Sequence, residues 1–350
     1  MLCVSADAAS AKRTRTRRSA PKTMPAPTSK PAIVLEWGAV YVRCGVAGEP
    51  CPRVRLPSPI GALAVGGERL NETAWRGALD EFVARLFAEE LLTMPQKRIV
   101  LNVEDAALPR ALRRALADAL YDAGAEKLAF APSIACAAVG GDAPTCVVVD
   151  VGSSSSRCAA VVDGFLLDST LTYADGFGVD AVAAKLPYET LERARAAVAS
   201  LSFVRRRGAE VRPGPDVVFE GASVPFRVRG DSSEVLFDGE EGLAALVHGV
   251  LRAAPIDARA ALAKRVLVVG GGSLIPGLEA RLLDELRARG VKDAGVLTAP
   301  CASCDAAWVG ASLLAASTTL TGAARGDAMP DLFEMRQGLP EVVAPLPSRS

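Results

Sequence analysis

Two stretches of this chain repeat one design. Ala32-Ile-Val-Leu-Glu-Trp-Gly38 is an apolar strand ending in acid-x-Gly, and a second apolar segment, 40–46, follows it. Cys146-Val-Val-Val-Asp-Val-Gly152 has the same plan about 114 residues later, again followed by an apolar strand, 158–162. Two such hairpins predict two related lobes. Facing each other, their glycine turns would offer backbone N–H groups to one phosphate chain from opposite sides. A third cluster, Val268-Val-Gly-Gly-Gly-Ser-Leu-Ile-Pro-Gly277, ends a buried strand and opens a helix near Leu278. Glycine there admits a ligand's ring close to the backbone, and a helix N-terminus favours an anion.

The rest of the pattern alternates strands with helices, which predicts α/β layers. Strands are expected at 32–36, 98–103, 127–131, 146–150, 158–162 and 266–269. Helices are expected at 75–92, 108–123, 176–185, 191–204, 240–254, 257–264, 278–289 and 306–318. Asp257 is placed to cap the helix it opens, and Pro109 suits a first helical turn, where its missing N–H costs nothing.

Composition narrows the partners. Lys plus Arg and Asp plus Glu balance at 40 each, so no global field recommends nucleic acid or an anionic membrane. The longest weakly polar run, 306–320, carries Gly, Ser and Thr and is shorter than the roughly 18 to 20 apolar residues of a spanning helix. Eight scattered cysteines and no secretory h-region point to the reducing cytoplasm. Cys301 and Cys304 form the one CxxC pair, but zinc needs more ligands and the only histidine is His248, so free thiols beside a strand end are expected and no metal site. Residues 1–32 are Ala-, Ser- and Pro-rich and basic, a composition that reads as a disordered tail, with a transit or nuclear signal as the other reading. Residues 336–350 read as a Pro-rich tail, and Arg325-Gly326-Asp327 as a chance tripeptide.

The two hairpins and the Gly-Gly-x-x-x-x-Pro-Gly turn resemble the nucleotide signatures of the actin, Hsp70 and sugar-kinase superfamily. Arg43-Cys-Gly-Val-Ala-Gly-Glu-Pro-Cys-Pro-Arg-Val-Arg-Leu-Pro-Ser58 and Trp308-Val-Gly-Ala-Ser312 are similar to segments of actin itself. The likeness spans roughly residues 32 to 335, thinly between Gly208 and Ser233. It implies an actin-like two-lobed α/β fold with truncated outer subdomains. The first lobe would comprise 33–140 plus 306–335, with its outer subdomain at 59–72 reduced; the second would comprise 141–305, with its outer subdomain within 178–253 reduced. Cys44-Gly-Val-Ala-Gly-Glu49, Phe130-Ala-Pro-Ser133 and Ala254-Pro-Ile-Asp-Ala-Arg259 resemble the actin-related proteins at the pointed end of the dynactin complex.

The resemblance also implies a site and marks where this sequence departs from it. Glu36, Gly38, Arg43, Asp150, Gly152, Arg157, Gly270, Gly271 and Gly272 stand at nucleotide-binding positions. Ser133 stands where actin's water-orienting Gln would be, and Arg157 in the place of its His. Glu36 replaces an Asp, Ala39 a phosphate-binding Ser, Arg43 a phosphate-reaching Lys and Ser153 the second hairpin's second Asp; Val198 and Ala199 replace the Lys and Glu that clamp adenosine. A serine is too short to position an attacking water, and arginine is no base at cellular pH. The expectation is a chain without hydrolytic activity, holding ATP or ADP with Mg structurally or holding none.

Two shortenings, before the helix near Trp75 and at Pro187-Tyr-Glu-Thr190, fall where the resemblance places the pointed-face subdomains. Head-to-tail polymers need two complementary surfaces per subunit, so a subunit lacking one joins and stops growth. Leu313, Leu314 and Leu320 are candidates for the opposite, barbed-face groove, or are core. The implied partners are actin-like filament protomers of dynactin and other pointed-end subunits, in the cytoplasmic cytoskeleton. An active actin-like ATPase and a nuclear chromatin-remodeller subunit stand as alternatives.

Overall fold

The computed structural model describes residues 30–59, 72–105, 108–210, 213–239 and 242–317, together with 320, 322–325 and 327. The basic tail to residue 29, the interior of the expected 59–72 reduction, the centre of the Arg-Gly-Asp tripeptide and the C-terminal tail lie outside the described residues.

Two five-stranded mixed sheets organise the chain. The first holds β1 (Ile33–Trp37), β2 (Tyr41–Val46), β3 (Val54–Pro57), β4 (Ile99–Glu104) and β5 (Lys127–Pro132) in the order β3-β2-β1-β4-β5. The second holds β6 (Cys146–Val151), β7 (Ser155–Val162), β8 (Phe165–Asp175), β11 (Val266–Val269) and β12 (Val296–Leu297) in the order β8-β7-β6-β11-β12. In each sheet the first three strands in sequence pair antiparallel, the fourth joins the first in parallel, and the fifth joins the fourth in parallel. The repeated hairpin therefore marks a repeated sheet.

Alternation along the strands builds three cores. Ile33, Leu35 and Trp37 face one way in β1, onto α1 (Glu72–Arg85), the π-helical turn Leu86–Glu90 and α2 (Arg110–Asp122). α2 answers with Leu112, Ala115, Leu116, Ala119 and Leu120, the spacing of a one-sided helix. Val147, Val149 and Val151 face the outer core of the second sheet. There they meet α4 (Val179–Ala183), α5 (Leu191–Leu201), α7 (Leu243–Ala253), α8 (Arg259–Ala263) and α9 (Leu278–Ala288). A small hairpin, β9 (Val217–Phe219) with β10 (Ala222–Val224), and α6 (Phe226–Asp231) complete this side. Val34 and Val148 point the other way, into a core shared by both sheets.

That shared core is built on α3 (Ser133–Gly140) and α10 (Ala306–Ser317). The two helices touch backbone to backbone. A Cβ on Gly140 would lie 2.0 Å from the Ala306 carbonyl oxygen, and one on Gly310 would lie 1.8 Å from that of Cys136. No residue but glycine fits either place. α10 then returns to the first sheet: the Trp308 indole N–H donates to the Val34 carbonyl (3.1 Å) and Ser312 Oγ to the Glu49 carbonyl (2.9 Å).

Several expected elements move. The helix expected at 257–264 begins at Arg259, and Ala258, not Asp257, is its N-cap. Pro109 sits one residue before the first turn of α2. The helix expected at 176–185 shrinks to α4, and α5 ends at Leu201, because Val204 leaves to pair its N–H with the Pro276 carbonyl (2.7 Å). The pattern does not predict α3, whose run of small residues is buried on nearly every side and so has no polar face to give it a period.

Candidate functional site

The two hairpins place an acid opposite an arginine at the same register. Glu36 pairs across β1 and β2 with Arg43; Asp150 pairs across β6 and β7 with Arg157. Each turn closes with a glycine N–H: Gly38 to the Tyr41 carbonyl (3.1 Å) and Gly152 to the Ser155 carbonyl (3.0 Å). Glu36 Oε1 accepts from Arg43 Nη1 at 3.0 Å; Asp150 Oδ2 accepts from Arg157 Nε and Nη2 at 2.9 and 2.5 Å.

The third glycine cluster closes on the second hairpin. Gly270 has φ +86°, and a Cβ there would lie 2.2 Å from Asp150 Oδ1, so glycine is required both by conformation and by space. Its N–H donates to the Ser303 carbonyl (3.3 Å), and Ser273 and Ser303 share a hydroxyl contact of 2.7 Å. Gly272 lies against Val151, while Gly271 faces open space. The turn Ser303–Asp305, so fixed, presents Asp305 to Arg43 Nε (3.0 Å) and to Arg55 Nη2 (2.5 Å).

Ser133 and Arg157, predicted at the positions of the hydrolytic pair, do come together. They line one cavity of about 10 Å³ with Asp105, Pro132, Leu171 and Tyr173, room for about one water. Two of the groups lining it are tied up in ionic and hydrogen-bonded contacts. Arg157 donates to Asp105 and Asp150, and burial, which would lower its pKa, is outweighed by these two carboxylates, which raise it. Tyr173 Oη donates to Asp105 Oδ1 at 2.9 Å. A guanidinium held this way takes no proton from water.

Burial pushes the Glu36 carboxyl up to about 7 against the opposing pull of Arg43, and its Oε2 is buried without a hydrogen-bond partner. Glu104, at the end of β4, is likewise pushed to about 7 by burial although Arg113 lies 3.0 Å away. Ser153 Oγ donates to Asp180 (2.8 Å), which Arg195 also grips through two N–H groups at 2.6 and 2.7 Å.

These residues, so arranged, do not fit a magnesium nucleotide. The two guanidiniums that would meet phosphate, Arg43 and Arg157, are each held by two carboxylates. Glu36 and Asp150, which would hold a cation's water shell, each carry a guanidinium at hydrogen-bonding distance. At the adenosine positions Val198 is buried in the core and Ala199 has no polar side chain.

All nine predicted site residues lie on these three turns and the strands that carry them. The partners that sequence alone missed are Arg55, Asp105, Tyr173, Asp180, Arg195 and Asp305. Most stand far from the hairpins in sequence; the contact between Arg43 and Asp305 spans 262 residues, and only the internal acid-to-arginine spacing of seven in each hairpin was open to notice. Cys301 and Cys304 are free and half-buried, and among the described residues no group of His, Cys, Asp and Glu is placed to hold a metal ion. No helix among the described residues is long and apolar enough to cross a membrane. Leu314 is buried in the shared core, whereas Leu313 is 46% exposed.

Residues 215–323 match the actin family model. The matched stretch runs from just before β9 through the third glycine cluster and α10, and the two five-stranded mixed sheets with their helices form an actin-like fold.

Proposed function

We propose that this chain is a structural actin-related subunit, of the actin-related protein 10 class, that caps the pointed end of dynactin's actin-like minifilament and so supports dynein-driven transport along microtubules in the cytoplasm. The observation that carries the reading is a pair of short connections, which the resemblance to actin makes reductions of longer ones. Thirteen residues, 59–71, separate Ser58 from α1, and seven, 184–190, separate α4 from α5. Each gap lies in the connection that follows the third strand of its sheet, β3 in one and β8 in the other, before the chain returns to the fourth. Both short connections therefore fall at the same topological point of the two lobes, while α3 and α10, between them, are packed in the shared core. A subunit trimmed at one end only can bind a neighbour and offer nothing to the next.

No catalysis is needed for such a part, and Ser133 and Arg157 supply none. Affinity purification of the tagged chain from its own cells tests the proposal: dynactin filament protomers and pointed-end subunits are expected in stoichiometric amounts. Recovery of chromatin-remodelling ATPases in their place, or growth of long filaments by the purified chain alone, overturns it.

A further inference from the structure

We infer that the two sheets are joined at their hairpin ends by a reciprocal ionic clasp, in which each hairpin arginine grips a carboxylate tied to the other sheet, and that this clasp occupies the groups that would otherwise receive a magnesium nucleotide. Arg43 leaves the first sheet and reaches Asp305, whose turn is tied to the second sheet through Gly270 and Ser273. Arg157 leaves the second sheet and reaches Asp105, which directly follows β4 of the first. Tyr173, on β8, donates to the same Asp105. The two arms have one origin, because each is an arginine held at its base by the acid opposite it in a duplicated hairpin.

The charges close on themselves. Three guanidiniums, Arg43, Arg55 and Arg157, face four carboxyl groups, Glu36, Asp105, Asp150 and Asp305. The Asp305 side chain is only 4% exposed and that of Asp150 only 11%. A phosphate entering here must compete with two carboxylates at each arginine, and drawing Arg43 or Arg157 away leaves Glu36 or Asp150 beside it without its matched charge. Additional negative charge finds no unmatched cation among these residues. The clasp is independent of the capping role, since a chain outside any filament would carry it equally.

The full-length chain, purified with Mg-ATP present throughout, is denatured and its nucleotide quantified, and its melting is followed with and without Mg-ATP. The clasp predicts less than about a tenth of an equivalent of nucleotide and a shift within about 1 °C, because a ligand stabilises only a state that binds it. The double variant D105N/D305N, which removes both cross-lobe carboxylates and leaves the hairpin acids in place, is expected to melt about 5 °C or more lower. Its amide hydrogen exchange at 38–43 and 153–157 is expected to rise about tenfold. Nearly one nucleotide per wild-type chain overturns the inference, as does a double variant that melts and exchanges like the wild type. Should that variant not fold, the nucleotide content and Mg-ATP shift of the wild type decide alone.

Discussion

In the first lobe the hairpin acid is a glutamate buried with one oxygen unpaired, and its arginine divides itself between Glu36 and Asp305. In the second lobe the acid is a shorter aspartate that receives two N–H groups from its arginine. Strand order, register and turn are shared, so backbone topology does not explain the difference. A carboxyl left partly unsatisfied in a dry place retains its proton; one gripped by a double donor has its charge matched. One sheet plan thus carries a hairpin acid that burial drives toward its neutral form and another that is gripped by two N–H groups of its arginine.

The most severe way to break the comparison is to part the lobes. Gly310→Val would place side-chain atoms where the Cys136 carbonyl oxygen lies 1.8 Å from a Cβ, and is expected to destabilise the fold by at least about 4 kcal/mol, seen as lost soluble yield and a collapsed melting transition. The arginines separate the two hairpins more finely. Arg157→Ala removes the guanidinium that lies between Asp150 and Asp105, leaves Asp150 buried without its matched charge, and is expected to cost about 3–5 kcal/mol in urea denaturation. Arg43→Ala is expected to cost less, about 1–2 kcal/mol, because Glu36 can hold a proton and Asp305 keeps Arg55. Equal costs would contradict the distinction.

A pH series sharpens it further. Glu36 and Glu104 hold their protons up to about 7 in the fold but release them near the ordinary 4.5 when unfolded. Between those values the folded state binds more protons, so stability is full below about 4.5 and falls as pH rises through 7. The melting temperature is expected to drop by a few degrees, of order 5 °C, from pH 5 to pH 8, and Glu36→Gln to flatten part of that slope. Asp180 works in the opposite sense: although burial would raise its pKa, its hydrogen bonds from Arg195 and Ser153 lower it, and the stability they add is lost as pH falls into the acid range. The smallest effect belongs to the surface. Arg76→Ala, which removes contacts to Asp80 and Asp122, is expected to change stability by no more than about 0.5 kcal/mol by the same denaturation assay.

Much of this arrangement was legible beforehand where pattern is local. The hairpins, the parallel central strands and the glycine turn announce themselves through apolar runs such as Val266–Val269, buried on both faces. Ser133 and Arg157 are paired by resemblance alone, and in the structure they line one cavity. What sequence does not display is charge arranged at long range. Asp105 and Asp305 each sit in a short connection, among residues with no period, and only the closing of the two sheets brings them to arginines 52 and 262 positions away. α3 escaped for the opposite reason, since a segment of Ala, Cys, Val and Gly buried nearly all round offers no contrast to detect.

The bare contact of Gly140 and Gly310 has a mechanical consequence. With no side chain between them, the two backbones meet as closely as helices can, and the bulk of Ile134, Trp308 and Leu314 is displaced to the flanks of the contact. A side chain added at the point of contact would therefore push apart the flanking residues as well, and loosen the packing of both sheets at once.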